Sequence, residues 1–490
     1  MPLRIYNTAS RKLEIFSPAT DKSVSLYTCG PTVYDYPHIG NWASFIYWDT
    51  LVRVLKFSGY NVTRVMNLTD VGHLVSDADD GEDKLEKGAR REGKSAWEIA
   101  DFYIADFKSG MKSLNLIQPE YLARATDYIP QQLELIRQLK AGGYTYQISD
   151  GIYFDTSKFS RYSDFARLDL KSQKAGARVK LNTEKHRPWD FALWKFTEPG
   201  KKRDMEWETP IDILAIKPEQ YSNPIMGFPG WHLECSAIAM SLLGKTIDIH
   251  TGGIDHIPIH HTNEIAQSES ATKQPFAHYW LHNNHLKINN SKVSKSLGNG
   301  YTLQDIESHG FSPMDLRMFI LQSQYTSEGN FTFDNLVAAK NRLNNWQNYA
   351  ALRHQIHDRL TDDASKTDLE KFVVSTATIG AIRDALWQNL NTPKALSIID
   401  DALSGLEEVD LDTISWSSLN QLLEAADELL GLQLLSSTPD IDDEAKQLII
   451  RRERAREAKD WPQSDTLRDQ LLKMNVVVKD TSHGPVWSRQ

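Results

Sequence analysis

One stretch near the N-terminus restricts the possible folds of this chain more than any other. Residues 24–28 alternate like a strand, apolar residues spaced three and four apart over 45–55 predict a helix, and 62–68 predict a second strand. A strand, a helix and a strand within about 45 residues form a βαβ unit, which predicts a parallel sheet. Such sheets bind ligands past the carboxyl ends of their strands, where Cys29 and Thr69 lie.

The remaining patterns predict an α/β chain whose sheet is interrupted and then followed by helices. Residues 151–229 are irregular, 246–250 read as another strand, and the segments after Pro313 have helical periods. We therefore divide the chain into 1–138, the first half of the sheet domain; 139–229, an insertion; 230–312, the second half; 313–437, an all-α helical bundle; and 438–490, a small mixed domain.

Composition narrows the class of protein. The 490 residues predict several domains, and 40% hydrophobic with 24% charged residues is typical of a globular chain. No run reaches the roughly 18 apolar residues of a membrane span, and the N-terminus lacks a secretory apolar region, so we expect a cytoplasmic protein with no membrane partner. The net charge of −10 does not favour nucleic acid, although a basic patch could still bind RNA. We also expect a monomer.

Four side chains could hold a metal ion. Cys29 and Cys235 are the only cysteines and lie 206 positions apart, which excludes a disulfide framework. His260 and Glu264 share a helix face, and with both thiols they would complete a tetrahedral zinc site. His261 would also fit a helix face with Glu264, so spacing does not choose between the histidines. The site could be purely structural, or it could admit a substrate thiolate at an exchangeable position.

Two further pieces could bind phosphate. His38, Gly40 and Asn41 open the first helix, where free N–H groups and the helix dipole favour an anion. Lys292 and Lys295 lie in a loop of small residues and could clamp a polyphosphate. Taken singly, the first could be an ordinary helix start and the second a solvated basic loop.

Together these pieces form a more specific signal, because they lie about 250 residues apart on opposite sides of an insertion. They resemble the paired signatures of class I aminoacyl-tRNA synthetases, His-Ile-Gly-His and Lys-Met-Ser-Lys-Ser. With the sequences around Cys29, Cys235 and His260, the chain resembles the cysteinyl-tRNA synthetase family nearly end to end. The resemblance implies a Rossmann-type catalytic domain with an insertion, an anticodon-binding helical domain and a small tRNA-contacting C-terminal domain.

The resemblance also implies a role for each matching residue in the metal site and the amino-acid pocket. Cys29, Cys235, His260 and Glu264 match the family's ligands of one zinc ion, which favours His260 over His261. The thiolate of the substrate cysteine is expected to bind that zinc. Further substrate contacts are expected from residues beside the pocket: Trp231, Thr69 and Asp255.

The nucleotide side of the site follows in the same way. His38, Gly40 and Asn41 are expected to contact ATP, which enters as a substrate with Mg²⁺. Lys292 and Lys295 are expected to steady its phosphates.

The implied function is ATP-dependent attachment of L-cysteine to cysteine tRNA through a cysteinyl-adenylate. Cysteine and serine differ by one atom, and shape alone separates such a pair only about 10- to 200-fold. Zinc prefers a thiolate to a hydroxyl, so chemical recognition would replace an editing site.

Three departures from the family pattern accompany the resemblance. Asn41 replaces the second histidine of the first signature, which weakens the expected phosphate contact because asparagine cannot be cationic. Val293 replaces a methionine at a packing position, where we expect little effect. The stretch 197–229 is longer than usual and is expected to be a surface excursion.

Two other functions compete with this prediction. One is a cysteine:amino-sugar ligase of the mycothiol pathway, which makes the same adenylate but has no use for the helical and C-terminal segments. The other is a non-catalytic zinc-binding protein that interacts with RNA, against which His38 and Lys295 argue. In the tail, Trp461 and Trp487 could stack on RNA bases, or each could belong to a core.

Overall fold

The computed structural model describes residues 1–72, 84–168, 182–216, 223–293, 298–355, 376–408, 414–481 and 484–489. The chain forms two compact units. One comprises Pro2–Ile306 and Tyr325–Asn330; the other comprises Met1, Glu307–Gln324 and Phe331–Gln490. Within the described ranges, every helix is too short or too polar to cross a bilayer.

The strands of the described residues are β1 (Arg4–Asn7), β2 (Lys12–Ile15), β3 (Ser23–Thr28), β4 (Asn61–Leu68), β5 (Tyr121–Arg124), β6 (Thr145–Ile148), β7 (Gly151–Phe154), β8 (Phe191–Phe196), β9 (Trp207–Glu208), β10 (Met226–Pro229), β11 (Ile247–Gly253), β12 (Ala277–Asn283), β13 (Leu286–Ile288), β14 (Gly329–Phe331), β15 (Val476–Thr481) and β16 (Gly484–Arg489). The α-helices are α1 (Ile39–Phe57), α2 (Lys84–Glu92), α3 (Ala96–Ser113), α4 (Ile129–Ala141), α5 (Leu233–Leu243), α6 (Thr262–Thr272), α7 (Leu303–Ser308), α8 (Pro313–Leu321), α9 (Phe333–Ala351), α10 (Thr376–Leu386), α11 (Thr392–Ser404), α12 (Trp416–Leu430), α13 (Leu434–Ser437), α14 (Asp443–Glu457) and α15 (Trp461–Lys473).

A five-stranded parallel sheet forms the centre of the first unit. Its strand order is β12-β11-β3-β4-β5, and every neighbouring pair is parallel. The predicted α/β class and the predicted parallel βαβ unit are therefore confirmed. The order reverses between β3 and β11, so the crevice for a ligand lies beyond the carboxyl ends of these two strands. Cys29 directly follows β3, and its N–H donates to Thr251 O at 3.1 Å across that switch point.

Local signals determine where the helices around the sheet begin and end. Helix α1 starts with a reciprocal capping box, in which His38 Nδ1 accepts from Asn41 N and Asn41 Oδ1 accepts from His38 N. It ends before Gly59, whose φ of +83° suits glycine. Helix α5 ends at the predicted C-cap Gly244, which has a φ of +96°.

The insertion contributes a second, antiparallel sheet with the order β6-β7-β8-β10-β9. It joins α5 through Gly230, where an added Cβ would lie 2.0 Å from Ala192 O, so only glycine fits this close approach. Part of the predicted excursion 197–229 is docked against the first half of the domain. Asp204 Oδ2 accepts from Ala96 N at 2.8 Å at the start of α3, and Arg203 Nη2 donates to Gly72 O at 3.3 Å.

The second unit contains the predicted helical segment and the mixed tail. Helices α14 and α15 pack with the antiparallel β15–β16 hairpin around a core that includes Ile449, Leu471 and Trp487. Trp487 is therefore a core residue, whereas Trp461 is 53% exposed. The predicted boundaries at 138, 229, 312 and 437 stay predictions.

Candidate functional site

The structure brings the four predicted metal ligands together in the core beside the central sheet. One ligand atom from each of Cys29, Cys235, His260 and Glu264 lies within 4.8 Å of the other three, and all four residues are buried. Cys29 follows β3, Cys235 lies in the first turn of α5, and Glu264 lies in the first turn of α6. His260 belongs to a single π-helical turn, Ile257–His261, that precedes α6. Four elements thus each contribute one donor.

The chemistry of this donor set fits a zinc ion. Two thiols, one imidazole and one carboxylate are ligands that zinc accepts in a tetrahedral site. Glu264 Oε1 is buried and accepts no hydrogen bond from the described residues, although His260 Nε2 lies 2.8 Å from it. A buried carboxylate oxygen that accepts no hydrogen bond lowers the stability of the fold unless a cation binds to it. The observation therefore supports these residues as ligands of one ion.

Other histidines orient the ligands from outside the donor set. His250 Nε2 lies 2.7 Å from Glu264 Oε2, and His232 Nδ1 lies 3.0 Å from His260 Nδ1. These contacts use Glu264 Oε2 and His260 Nδ1. The other two atoms, Glu264 Oε1 and His260 Nε2, face each other at 2.8 Å. Such outer contacts select the tautomer and the ring orientation of a ligand.

Burial and neighbouring side chains together set the ionisation of the cluster. Burial and then the adjacent Cys29 raise the pKa of Cys235 well above its usual value. Burial alone would also raise the pKa of Glu264, but His250 and His260 outweigh it and hold that pKa below the usual range. Without a cation, the site therefore favours a protonated thiol beside an ionised carboxylate. A bound metal ion favours the thiolate instead.

A second combination of side chains, which contains His261 and His250 in place of His260 and Cys235, is similarly close. His261 is engaged on both ring nitrogens: Nε2 lies 3.3 Å from Cys29 Sγ, and Nδ1 lies 2.7 Å from His282 Nε2. His260 likewise has contacts on both of its ring nitrogens, so this feature does not separate the two histidines. The second combination has only one thiol, which favours the set with His260 and Cys235 for zinc.

The predicted nucleotide residues line one cavity at the carboxyl end of the sheet. The cavity has a volume of about 310 Å³, and its wall includes His38, Gly40, Asn41, Asp255 and Lys292. The capping box fixes the His38 ring, and an added Cβ at Gly40 would lie 3.0 Å from that ring. The start of α1 thus presents its backbone to the cavity, as an anion site requires.

The other predicted site residues lie in three different settings. Trp231 is half-buried beside the metal cluster, with its ring centroid 5.3 Å from that of His260. Thr69 is buried; its hydroxyl donates to Glu234 Oε1 and accepts from Asn67 Nδ2 at 3.0 Å. Lys295 lies outside the described residues.

Sequence reasoning missed several residues of this site. His250 is the last residue of the segment predicted as a strand, and Glu234 directly precedes the predicted ligand Cys235. Both could have been found from their positions next to features that the sequence analysis had already recognised. His232 is the N-cap residue of α5, three positions before Cys235, so its place in the same motif was also available from the sequence. No spacing rule pointed to His282, which lies on β12.

Family models match most of the chain. A model described as the class I (C) tRNA synthetase catalytic domain matches residues 15–341, and a model described as the cysteinyl-tRNA ligase anticodon binding domain matches 438–487. A cysteine–tRNA ligase of Treponema denticola is 37% identical over 520 residues, covering 100% of both chains. Cysteine–tRNA ligase 1 of Burkholderia lata is 40% identical over 488 residues, covering 99% of this chain and 96% of the relative.

Solved structures share the fold at much lower sequence identity. Mycobacterium tuberculosis methionyl-tRNA synthetase in complex with methionyl-adenylate has a TM-score of 0.58 at 13% identity, covering 84% of this chain and 92% of the other. A LeuRS–tRNA–LeuAMS ternary complex of Agrobacterium radiobacter K84 has a TM-score of 0.59 at 12% identity, with 87% and 86% covered.

Proposed function

The chain belongs to the cysteine–tRNA ligase family of class I aminoacyl-tRNA synthetases, and from this premise we propose that it attaches L-cysteine to cysteine tRNA. The reaction consumes ATP and passes through a cysteinyl-adenylate. The partners are cysteine tRNA, L-cysteine and ATP with Mg²⁺, and the protein acts as a monomer in the cytoplasm.

One observation carries this proposal. A buried cluster of two thiols, an imidazole and a carboxylate lies at the same edge of the sheet as a cavity lined by His38, Asn41 and Lys292. A thiol-recognising centre beside a nucleotide-sized cavity suits an enzyme that activates cysteine with ATP.

Cys29, Cys235, His260 and Glu264 would hold a zinc ion. Zinc supplies a soft Lewis acid that binds a thiolate in preference to a hydroxyl. Trp231 packs beside His260 and limits the space for the amino acid. His250 and His232 keep the carboxylate and the imidazole in their orientations.

Activation of the carboxyl group requires positioning and charge stabilisation rather than a covalent enzyme intermediate. The α1 N-terminus offers N–H groups and a dipole to the phosphates, and Lys292 adds a positive charge in the cavity wall. Lys295 is proposed to act with Lys292 on the leaving pyrophosphate. The carboxylate attacks the α-phosphorus, pyrophosphate leaves, and the terminal ribose hydroxyl of the tRNA then displaces AMP.

The test is charging of an unmodified cysteine tRNA transcript with labelled cysteine, ATP and Mg²⁺, before and after removal of zinc. We expect one zinc per chain, loss of charging in the zinc-free protein and recovery when zinc is returned. A Cys235→Ser variant should bind less than a tenth of the zinc bound by wild type.

Three outcomes would contradict the proposal. Undiminished charging by a folded, zinc-free protein would show that the reaction does not need the metal. Failure of the zinc-loaded protein to charge would show that tRNA is not its substrate. Transfer of activated cysteine to a small amine in that case would favour the amino-sugar ligase.

A further inference from the structure

An exposed group of aromatic side chains lies just before the turn that opens α1. The ring centroids of Tyr36, Phe102 and Tyr103 are 5.1–6.1 Å apart, and all three pairs meet edge to face. Tyr103 is buried, whereas Tyr36 is 39% and Phe102 45% exposed. We call these three residues the aromatic platform. The buried Tyr103 ring packs against both of the other rings, whose outer surfaces are in solvent.

The platform has a basic rim in an otherwise acidic protein. Residues 84–94 contain five lysines and arginines and two glutamates, whereas the whole chain has a net charge of −10. Lys94 Nζ lies 5.2 Å above the Phe102 ring. Arg91 and Lys94 share one carboxylate, Glu92, at 2.9 and 3.5 Å, and their side chains are 64% and 44% exposed. Glu92 and Asp35, which also acts electrostatically on Arg91, offset part of this charge. Residues 84–94 together with Asp35 still carry five cationic side chains against three carboxylates, so the rim keeps positive charge.

The acidic side chains of α3 near the platform are committed to other partners. Glu98 accepts from Ser95 N at 2.8 Å in the helix cap, and Asp101 pairs with Arg124 at 2.7 Å. These contacts reduce their repulsion of an anion approaching Lys94.

The platform lies close in the chain to the proposed reaction site. Tyr36 precedes by two residues His38, which lines the cavity, so their Cα atoms are at most about 7 Å apart. A strand bound at the platform would therefore have only a short distance to span to the cavity.

We propose that the aromatic platform stacks an unpaired base of the tRNA 3′ end while the terminal ribose occupies the cavity. The inference rests on the proposed function and adds the place where the second substrate enters. Unpaired nucleotides combine flat bases with anionic phosphates, and exposed aromatic rings with adjacent lysine and arginine form the surface that binds such strands. The exposed Tyr36 and Phe102 rings supply the stacking face, and Lys94 and Arg91 supply the charge.

The experiment measures binding of two cysteine tRNA transcripts, one intact and one lacking its unpaired 3′ nucleotides. Removing one stacking ring weakens binding about 5- to 150-fold in comparable surfaces. We expect Phe102→Ala to bind the intact transcript about tenfold more weakly than wild type. Both proteins should bind the shortened transcript equally. ATP–pyrophosphate exchange, which needs no tRNA, should be unchanged.

Two further variants sharpen the result. Tyr121→Ala removes a ring that is 46% exposed on the edge strand β5, level with Val65 in the middle of β4 and outside the cavity lining, and should bind both transcripts like wild type. Phe102→Trp keeps a stacking face and should restore binding of the intact transcript.

The possible failures are distinguishable. If wild type charges tRNA and Phe102→Ala binds the intact transcript as tightly as wild type does, the stacking proposal is wrong and the proposed function stands. If Phe102→Ala binds both transcripts more weakly by the same factor, the stacking proposal is also wrong, because the loss would not involve the 3′ end. A wild-type protein that charges no tRNA overturns both proposals.

Discussion

At the scale of single residues, Glu264 and Asn41 show how a side chain acquires its role from its immediate partners. Glu264 is fully buried between His250 and His260, which keep it ionised against the effect of burial. Asn41 stands where a second signature histidine would be, yet it closes the capping box on His38. Its amide therefore orients the turn that lines the cavity, a role that does not depend on positive charge.

We expect Asn41→Ala to slow ATP–pyrophosphate exchange about tenfold, since a small misplacement of a positioning group can cost up to ~100-fold. Loss of the Asn41 half of the box should also destabilise the start of α1 by about 0.5–1 kcal/mol. Exchange rates and thermal melting of the two proteins check both effects.

Asn41→Asp is the matched control for this prediction. It keeps an acceptor for His38 N, so melting should be preserved, but its negative charge beside the phosphates should raise the KM for ATP. An Ala variant that exchanges at the wild-type rate would contradict the positioning role.

At the scale of elements, individual polar contacts fasten neighbouring segments to one another. Asp204 caps the start of α3, which ties the 197–229 stretch to the first half of the catalytic domain. In the C-terminal tail, Arg452 on α14 donates from both Nη atoms to Asp480 on β15, at 2.7 and 2.8 Å. Arg456 Nη1 lies 3.1 Å from the same carboxylate. This bidentate pair fastens the hairpin to the helix.

Asp480→Asn should lower the stability of the β15–β16 hairpin by about 0.5–1 kcal/mol at pH 7, a value reduced for the partial exposure of the carboxylate. Its hydrogen bonds with Arg452 hold the pKa of Asp480 below the usual value, against the opposing effect of burial. The stabilisation is therefore complete above the unfolded-state pKa of about 3.9 and is lost as the pH falls through the folded-state pKa.

Amide hydrogen exchange in Val476–Thr481, corrected for intrinsic rates, measures this difference at each pH. The gap between Asp480→Asn and wild type should be constant from pH 7 to pH 5 and shrink below about pH 4. Asp465→Asn is the control, because its carboxylate is 65% exposed and 3.5 Å from Arg468. Equal effects of the two substitutions would contradict the stabilising role of the Arg452–Asp480 pair.

At the scale of the whole molecule, the candidate metal site and the segment matched by the anticodon-binding family model belong to different units. The four candidate metal ligands and the cavity both lie in the unit that contains the parallel sheet. The segment matched by the anticodon-binding family model belongs to the other unit and has its own core around Trp487. Exposed Trp461, with the Arg456 guanidinium 5.5 Å above its ring, is the aromatic side chain of that segment best placed to meet RNA.

Removal of residues 438–490 should leave ATP–pyrophosphate exchange within about twofold of wild type and reduce tRNA charging about 100-fold, because one of two linked binding surfaces is lost. Both rates can be measured on the same preparation. Loss of exchange as well as charging would mean that the tail supports the catalytic unit itself.

Sequence alone predicted the parallel sheet, which the structure confirms, and the candidate metal donors Cys29, Cys235 and Glu264 with one of two histidines. The alternation before Cys29 and the helical period that follows reflect which residues are buried, so they can be read locally. Because the chain has only two cysteines, the choice of candidate thiols was equally direct. The sequence could not choose between His260 and His261, since spacings of three and four both share a helix face. His260 lies in a π-helical turn, which no helix spacing describes. Only the tertiary structure brought Cys29 to Cys235 and placed His250 and His232 behind the ligands. Those contacts join elements far apart in the chain, and their positions follow from packing around the sheet rather than from any local pattern.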